Sequence, residues 1–290
     1  MSERSFQERI TEVPRLGIGI STEHGAGLAG LDLEALHLRR PDLVQFLEIG
    51  ADLERGFDAD ATRWIASGRK TTYHFLDVNL EEPEDIEPAW IAATAALARE
   101  AGAAWLCGDA GLWHVGPRDR GHGVLMPPIL CEESIAKMAT AVRRLRRESG
   151  FEVLPENPPA QVHLGDLTVP EYFGTLARVA DCGLLLDVAH LAITQIAGGG
   201  DLFQGLENFP MDRVVEMHVA GGALFDAEGL RLVDDDHGVE IQDETWALFR
   251  HVLARATNLK AIVLEAERNR IDEVIPLFER LHDAWGSLNS

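Results

Sequence analysis

The sequence predicts an α/β protein, a (β/α)8 TIM barrel that fills the chain as a single domain over 1–290, with its core at about 15–285. Three observations lead there. Short apolar runs alternate with longer amphipathic stretches, the alternation repeats eight times, and polar residues break the runs mainly at their C-terminal ends. The runs are Leu16–Ser21, Leu43–Gly50, Thr71–Val78, Ala104–Ala110, Phe151–Asn157, Gly183–His190, Val214–Ala220 and Ala261–Glu267. Most are rich in Val, Ile, Leu or aromatics, as strands covered on both faces require. Pro88–Ala101, Glu132–Arg147 and Asp243–Arg255 supply helices between them, with apolar residues at three- and four-residue spacing in the first two. Ile271–Ala284 does the same after the last strand, although Pro276 interrupts its pattern. The rival open sheet expects a glycine fingerprint after its first strand, and Gly17, Gly19, Gly25 and Gly27 are not spaced as GxGxxG. Two loops are long, Gly111–Cys131 and Gly221–Gln242, and long loops in compact domains tend to carry function.

Composition narrows the function. The 290 residues hold 26 Lys+Arg against 48 Asp+Glu, a formal charge of −22. Such a surface argues against nucleic acid and against docking on anionic membranes. Three cysteines (Cys107, Cys131, Cys182), none in a CxxC, suit a reduced, cytoplasmic setting. The polar start MSERSFQERITEV lacks the apolar core of a signal peptide, and no run approaches the ~20 apolar residues of a membrane span. GxSxG, Walker A, HExxH and kinase signatures are absent. Cys107, between apolar neighbours, reads as a buried inert thiol, and Gly198–Gly200 as a helix end.

The chemistry gathers at the strand ends: Glu48, His74 with Asp77, Asp109, Glu156 with Asn157, Asp187 with His190, Glu216 with His218, and Glu265 with Glu267. The loop after strand seven adds Asp234, Asp235, Asp236 and His237. Taken singly, His74 reads as a core histidine, Glu156 as a salt-bridged strand end and the DDDH run as a solvated acidic turn. A barrel brings them all to one mouth, where buried carboxylates and imidazoles need a compensating cation. Mixed His and carboxylate donors suit iron, manganese or zinc. The candidates exceed the ~4 ligands of one tetrahedral ion, which favours several metals bridged by a carboxylate such as Glu156. On strand seven, Glu216 and His218 share one face, and Val215, Met217 and Val219 the other.

In order, the motifs LGIGIS, FLEIGADL, HFLDVNL, LMPPILCEESI, LPENPPA, LLLDVAHLAI, VVEMHVAGG, DDDHGVEI and VLEAERN resemble those of the multinuclear non-haem iron-dependent oxidases. That family (DUF692) includes the iron oxidases of methanobactin and thiaglutamate biosynthesis. The resemblance covers Leu16 to Glu267. It implies a TIM barrel holding two or three Fe ions in mixed Fe(II)/Fe(III) states. It also implies O2 as co-substrate and oxidative modification of cysteines in a ribosomally made (RiPP) precursor peptide, with a peptide-recognition partner protein. The ligands it implies are His74, Glu156, Asp187, His190, His218, Asp235, His237 and Glu265, with catalytic duty on Glu156, His190 and His237. Three positions depart from the family. Ala110 follows Asp109 where a histidine is expected, Gly222 replaces a second histidine, and DVAH replaces DVNN. His190 then stands as a replacement ligand, and His114, in the long loop beside Trp113, as a compensating one. The alternative enzyme on the same barrel is a xylose-isomerase-like sugar isomerase or epimerase with a divalent His/carboxylate site. A metal-bound scaffold that only binds a peptide is the non-enzymatic alternative.

Overall fold

The computed structural model describes residues 4–22, 30–51, 53–116 and 125–287. The chain opens on α1 (Phe6–Arg9), then alternates β1 (Gly17–Thr22), α2 (Leu33–Arg39), β2 (Phe46–Ala51), α3 (Ala59–Ala66), β3 (Thr71–Phe75), α4 (Pro88–Ala101) and β4 (Ala103–Asp109). It continues with α5 (Glu132–Ser149), β5 (Val153–Glu156), α6 (Val169–Ala180), β6 (Leu184–Asp187), α7 (Val188–Gly198), β7 (Val214–Ala227) and β8 (Leu230–Gly238). Then come α8 (Asp243–Leu253), β9 (Ala261–Glu265) and α9 (Ile271–Ser287). Strands β1 to β7 pair in chain order, β6 pairs β7, and β9 lies parallel between β7 and β1, which closes the expected (β/α)8 barrel.

Closure leaves each strand one face inward, and the inward faces are graded. Trp105, Cys107 and Asp109 alternate up β4, Leu154 and Glu156 up β5, Leu185 and Asp187 up β6, and Ala261, Val263 and Glu265 up β9. The lower members of these series form one apolar cluster with Phe46 and Leu16, closed from below by Phe6 and Ile10. Full burial of each such side chain stabilises by ~1.5–3 kcal/mol, so the apolar floor anchors the polar layer above it. The larger core lies between strands and helices, where Met217 and Val219 pack. Val215, expected beside them, belongs instead to the floor cluster, next to a register shift at Leu184/Leu185.

Helix ends follow local chemistry. Thr168 and Glu171 close a capping box on α6, and α5 carries Glu132 and Glu133 in its first turn, Arg146 in its last and left-handed Gly150 after it. Helix α9 runs through Pro276, because the burial of Val274, Phe278, Leu281 and Trp285 outweighs one lost backbone bond.

The sequence misjudges three stretches. His190 falls in the first turn of α7, not on a strand, because Asp187 caps the helix immediately after four strand residues. The Gly221–Gln242 loop is largely an antiparallel hairpin, in which β7 overshoots the barrel and β8 returns with Leu224 opposite Val233 and Asp226 opposite Arg231. In the Gly111–Cys131 loop, residues 117–124 lie outside the described ones, and Leu112 bridges Met126 across them. No helix among the described residues is long and apolar enough to cross a membrane.

Candidate metal centre

The C-terminal ends of the strands surround a cavity of about 240 Å³. Its lining includes Glu48, His74, Asp109, His190, Asp235, His237, Glu265 and Glu267, with apolar wall from Leu76, Trp113 and Leu125. No lysine or arginine lines it among the described residues.

Three sets of donors form a chain across its base. His74, Asp109 and Glu156 each offer an atom within 4.8 Å of the others, as do Glu156, Asp187 and His190, and Asp187, His218 and Glu265. Neighbouring sets share a carboxylate, first Glu156 and then Asp187. The Nε2 of His74 is 2.8 Å from Glu156 Oε2 and 4.0 Å from Asp109 Oδ2. The Nδ1 of His218 is 3.3 Å from Glu156 Oε1, 3.2 Å from Glu265 Oε1 and 4.0 Å from Asp187 Oδ2. At the rim, His237 Nε2 is 3.8 Å from both Asp235 Oδ1 and Glu265 Oε2.

Local structure aims each imidazole. Asp187 Oδ1 accepts the Ala189 and His190 N–H groups at 2.5 and 2.8 Å, so it starts α7 and sets His190 one turn on. The Asn157 side chain clasps Asp187 from the other side, its Oδ1 accepting the Asp187 N–H and its Nδ2 donating to Asp187 O, both at 2.9 Å. The His190 Nδ1–H donates to Asn157 O at 2.9 Å, which turns Nε2 towards Asp187 Oδ2 at 3.4 Å and Asp235 Oδ2 at 3.1 Å. His237 sits at φ 53°, a left-handed backbone that costs ~1–3 kcal/mol in a non-glycine residue. Its Nδ1 donates to Glu267 Oε1 at 2.6 Å, which turns Nε2 inward.

All eight predicted residues, His74, Glu156, Asp187, His190, His218, Asp235, His237 and Glu265, therefore meet at one mouth. Four further carboxylates join them. Asp109 completes the first set, Glu267 holds His237, and Glu48 stands 3.0 Å from His218 Nε2 on the floor side. Glu216 lies beneath, one oxygen accepting Trp105 Nε1–H at 2.6 Å. Their positions at the ends of strand runs were the available signal. His114 does not join: Nδ1 donates to Gly116 O and Nε2 meets Asp85 Oδ2, both at 2.6 Å, so the ring buttresses its own loop. At Gly222 a Cβ would stand 2.6 Å from Asp234 O and from Val233 Cγ1, so the returning strand occupies the space of the family's second histidine.

The donors fit metal ions. Among the described residues, eight carboxylates (Glu48, Asp109, Glu156, Asp187, Glu216, Asp235, Glu265 and Glu267) face four imidazoles (His74, His190, His218 and His237). Even fully protonated imidazoles leave four negative charges, and buried charge of one sign is unstable without a cation. The buried atoms Asp109 Oδ1, Asp187 Oδ2, His218 Nδ1 and Nε2, Asp235 Oδ1 and Glu265 Oε2 make no hydrogen bond. His218 Nδ1 approaches two carboxylates within 3.3 Å without bonding geometry, as ligands around a shared ion do.

Without that ion, protons fill the deficit. Burial and the neighbouring Glu156 raise Asp109 to about 8, and burial raises Asp187 to about 7. Burial opposes protonation of His74, but its bond to Glu156 and the charge of Glu48 prevail and lift it to about 9. His190, His218 and His237 also rise, against burial, through Asp187, Glu48 and Glu265 respectively. In each case the fold binds a proton that the unfolded chain releases at lower pH. That stability is therefore present at about pH 6 and lost as pH rises towards about 9. The lowered groups, Glu156 and Glu265, titrate below this window. The Tm of metal-free protein is expected to fall steadily from about pH 6 to about pH 9, while metal affinity rises because ligands must shed protons. A flat or rising Tm over that window would refute a proton-filled centre.

Comparison with known proteins agrees with this architecture. Residues 16–287 match the family of the RiPP precursor modification enzyme MbnB/TglH/ChrH, and the chain belongs to that family of peptide-modifying enzymes. Among relatives, the UPF0276 protein RB0508 of Rhizobium meliloti is 26% identical over 263 residues, covering 86% of this chain and 84% of that one. The UPF0276 protein PA3283 of Pseudomonas aeruginosa is 30% identical over 162 residues, covering 52% of this chain and 56% of its own length, so that match spans about half of each. Two solved structures share the fold. A xylose isomerase domain protein of Planctomyces limnophilus has a TM-score of 0.60 at 14% identity, with 96% of this chain and 99% of that one covered. The TTHB071 protein of Thermus thermophilus, soaked with ZnCl2, has a TM-score of 0.54 at 19% identity, with 92% and 98% covered.

Proposed function

We propose that the protein is a multinuclear iron oxidase that uses O2 to modify cysteine residues of a ribosomally made precursor peptide, in the cytoplasm and with a peptide-recognition partner. The chain of three donor sets linked through Glu156 and Asp187 carries this reading, because shared carboxylates are what closely spaced ions require. Imidazole and carboxylate donors without a thiolate at the mouth favour iron, manganese or zinc over copper(I) or an iron–sulfur cluster. The proposed ligands are His74, Glu156, Asp187, His190, His218, Asp235, His237 and Glu265, with Asp109 added from its place in the first set.

Iron held there would supply Lewis acidity towards a thiol and one-electron redox chemistry with O2. The protein's own residues do the rest. Glu156 and Asp187 hold adjacent positions in register, and Asn157 fixes the strand ends that carry them. Glu267 and the Asn157 carbonyl orient His237 and His190 by accepting their second ring N–H. Trp113, held by its N–H to Asn79 Oδ1 at 2.7 Å and its indole N–H to Asp109 O at 3.2 Å, walls the cavity against water. The sugar isomerase alternative shares the barrel, and the family match favours peptide modification over it.

The test is elemental and functional. Protein purified without oxygen is expected to carry about two or more iron equivalents, since the donors exceed one ion's needs. It is expected to consume O2 when given a cysteine-containing precursor peptide. A single tightly held zinc that iron cannot replace, or aldose–ketose interconversion under nitrogen, would overturn the proposal.

A further inference from the structure

The root of the β7–β8 hairpin packs on α7 through buried Val233, and its tip stands out from the barrel on the side of the centre. A two-stranded ribbon is marginal in water on its own, and the outer part of this one exposes apolar side chains on both faces. Leu224 is 49% exposed, Phe225 43% and Leu230 60%, and Leu224 and Phe225, being consecutive, point to opposite faces. The same arm carries Asp226, Glu228, Asp234, Asp235 and Asp236 against the single cation Arg231. Its return strand ends in the centre, at Asp235 and His237. Beside its root, the loop carrying exposed Val162 and Leu164 touches it through Gln161, whose amide donates to Val233 O at 2.8 Å.

That bond shows which way the edge faces. Strand β8 is the last in the sheet order, and Val233 O turns away from β7 to accept a side-chain donor. In an antiparallel ladder the peptide groups of alternate residues point the same way, so those of Arg231 face outward too. An extended chain laid here would take over at Val233 O the bond that Gln161 makes, displacing that amide, and would pair with the outward-facing peptide groups of Arg231. Going from Arg231 to Asp235 it would advance ~13 Å and arrive at the cavity.

We propose that this arm is the landing strip for the substrate peptide, which adds as an extended strand to the outer edge of β8. This rests on the peptide-modifying reading and specifies its substrate. The segment it takes is basic and rich in β-branched or aromatic residues, and lies about four residues to one side of the modified cysteine. Charge selects this occupant. A second copy of a chain with net charge −22 repels the acidic arm, as does an anionic membrane.

The probe is an mRNA-displayed library of random dodecapeptides with one fixed central cysteine, selected under nitrogen on the immobilised iron-loaded protein. Recovered peptides are expected to be enriched in Lys and Arg with Val, Ile or aromatics on one side of the cysteine. Recovery is expected to fall about tenfold or more on the triple variant L224S/F225S/L230S, because truncating apolar anchors removes most of an interface's binding energy. Those side chains are exposed, so the variant keeps its Tm and iron content. Equal recovery on the variant, an acidic or unbiased pool, or sedimentation showing that the arm pairs with a second copy would each overturn the proposal. Binding through the arm without oxygen consumption would uphold the landing strip and refute the oxidase. Peptide oxidation unaffected by the triple variant would do the reverse.

Discussion

Glu156→Ala is expected to release more than one metal ion at once and to abolish activity while the barrel stays folded. Glu156 belongs to two of the three donor sets, Oε2 facing His74 at 2.8 Å and Oε1 facing His218 at 3.3 Å and His190 at 3.6 Å. Losing a terminal ligand weakens one ion, whereas losing a shared carboxylate opens two positions together. Iron content is therefore expected to drop by about two equivalents, and turnover by well over a hundredfold, the upper range for changes one layer further out. The fold survives because the vacated space is polar and admits water. It also carries one buried carboxylate fewer in a cluster with excess negative charge. Metal analysis with circular dichroism checks both halves, and wild-type iron content in the variant would remove Glu156 from the centre. Glu156→Gln separates charge from size, since it keeps the volume and one acceptor oxygen but cannot bridge as a carboxylate does.

The barrel was legible because burial on both faces writes strands as unbroken apolar runs, and eight such runs have few other ways to close. The centre was legible for a related reason. Along β4, β5, β6 and β9 the inward positions change from Cys107, Leu154, Leu185 or Val263 to Asp109, Glu156, Asp187 or Glu265 within two residues. A carboxylate ending an apolar strand is costly unless the strand end faces something that wants it. What a linear reading does not supply is how neighbouring strands are offset. Asp109 was seen as a strand-end acid, but its place beside His74 and Glu156 depends on the β3–β4 and β4–β5 registers. His114 misled for the opposite reason: its neighbours in sequence suggest the mouth, while its two ring nitrogens are taken by Gly116 O and Asp85. The hairpin was hidden because DDDH reads as a solvated turn. Only the pairing of Ala223 with Asp234 and Leu224 with Val233 makes those acids a strand.

His218→Ala is expected to remove iron and activity, whereas His163→Ala changes the iron content little. His218 is fully buried and is approached from both ring nitrogens, with Nδ1 towards Glu156 and Glu265 and Nε2 3.0 Å from Glu48 Oε1. A metal held by this imidazole would be supported from the far side of the ring, where the Glu48 carboxylate faces Nε2. Removing the imidazole would open that coordination position, while Glu48 keeps its bonds from Thr72 Oγ1 and Cys107 Sγ. Glu48→Gln, which keeps a weaker acceptor in the same place, is expected to lower metal affinity by ~10–100-fold without emptying the centre. His163 is exposed on the loop between β5 and α6 and serves as the control for a surface imidazole. Iron titration with a competing chelator orders the three variants. Full iron occupancy in His218→Ala, or equal loss in His163→Ala, would show that the imidazole on β7 holds no metal.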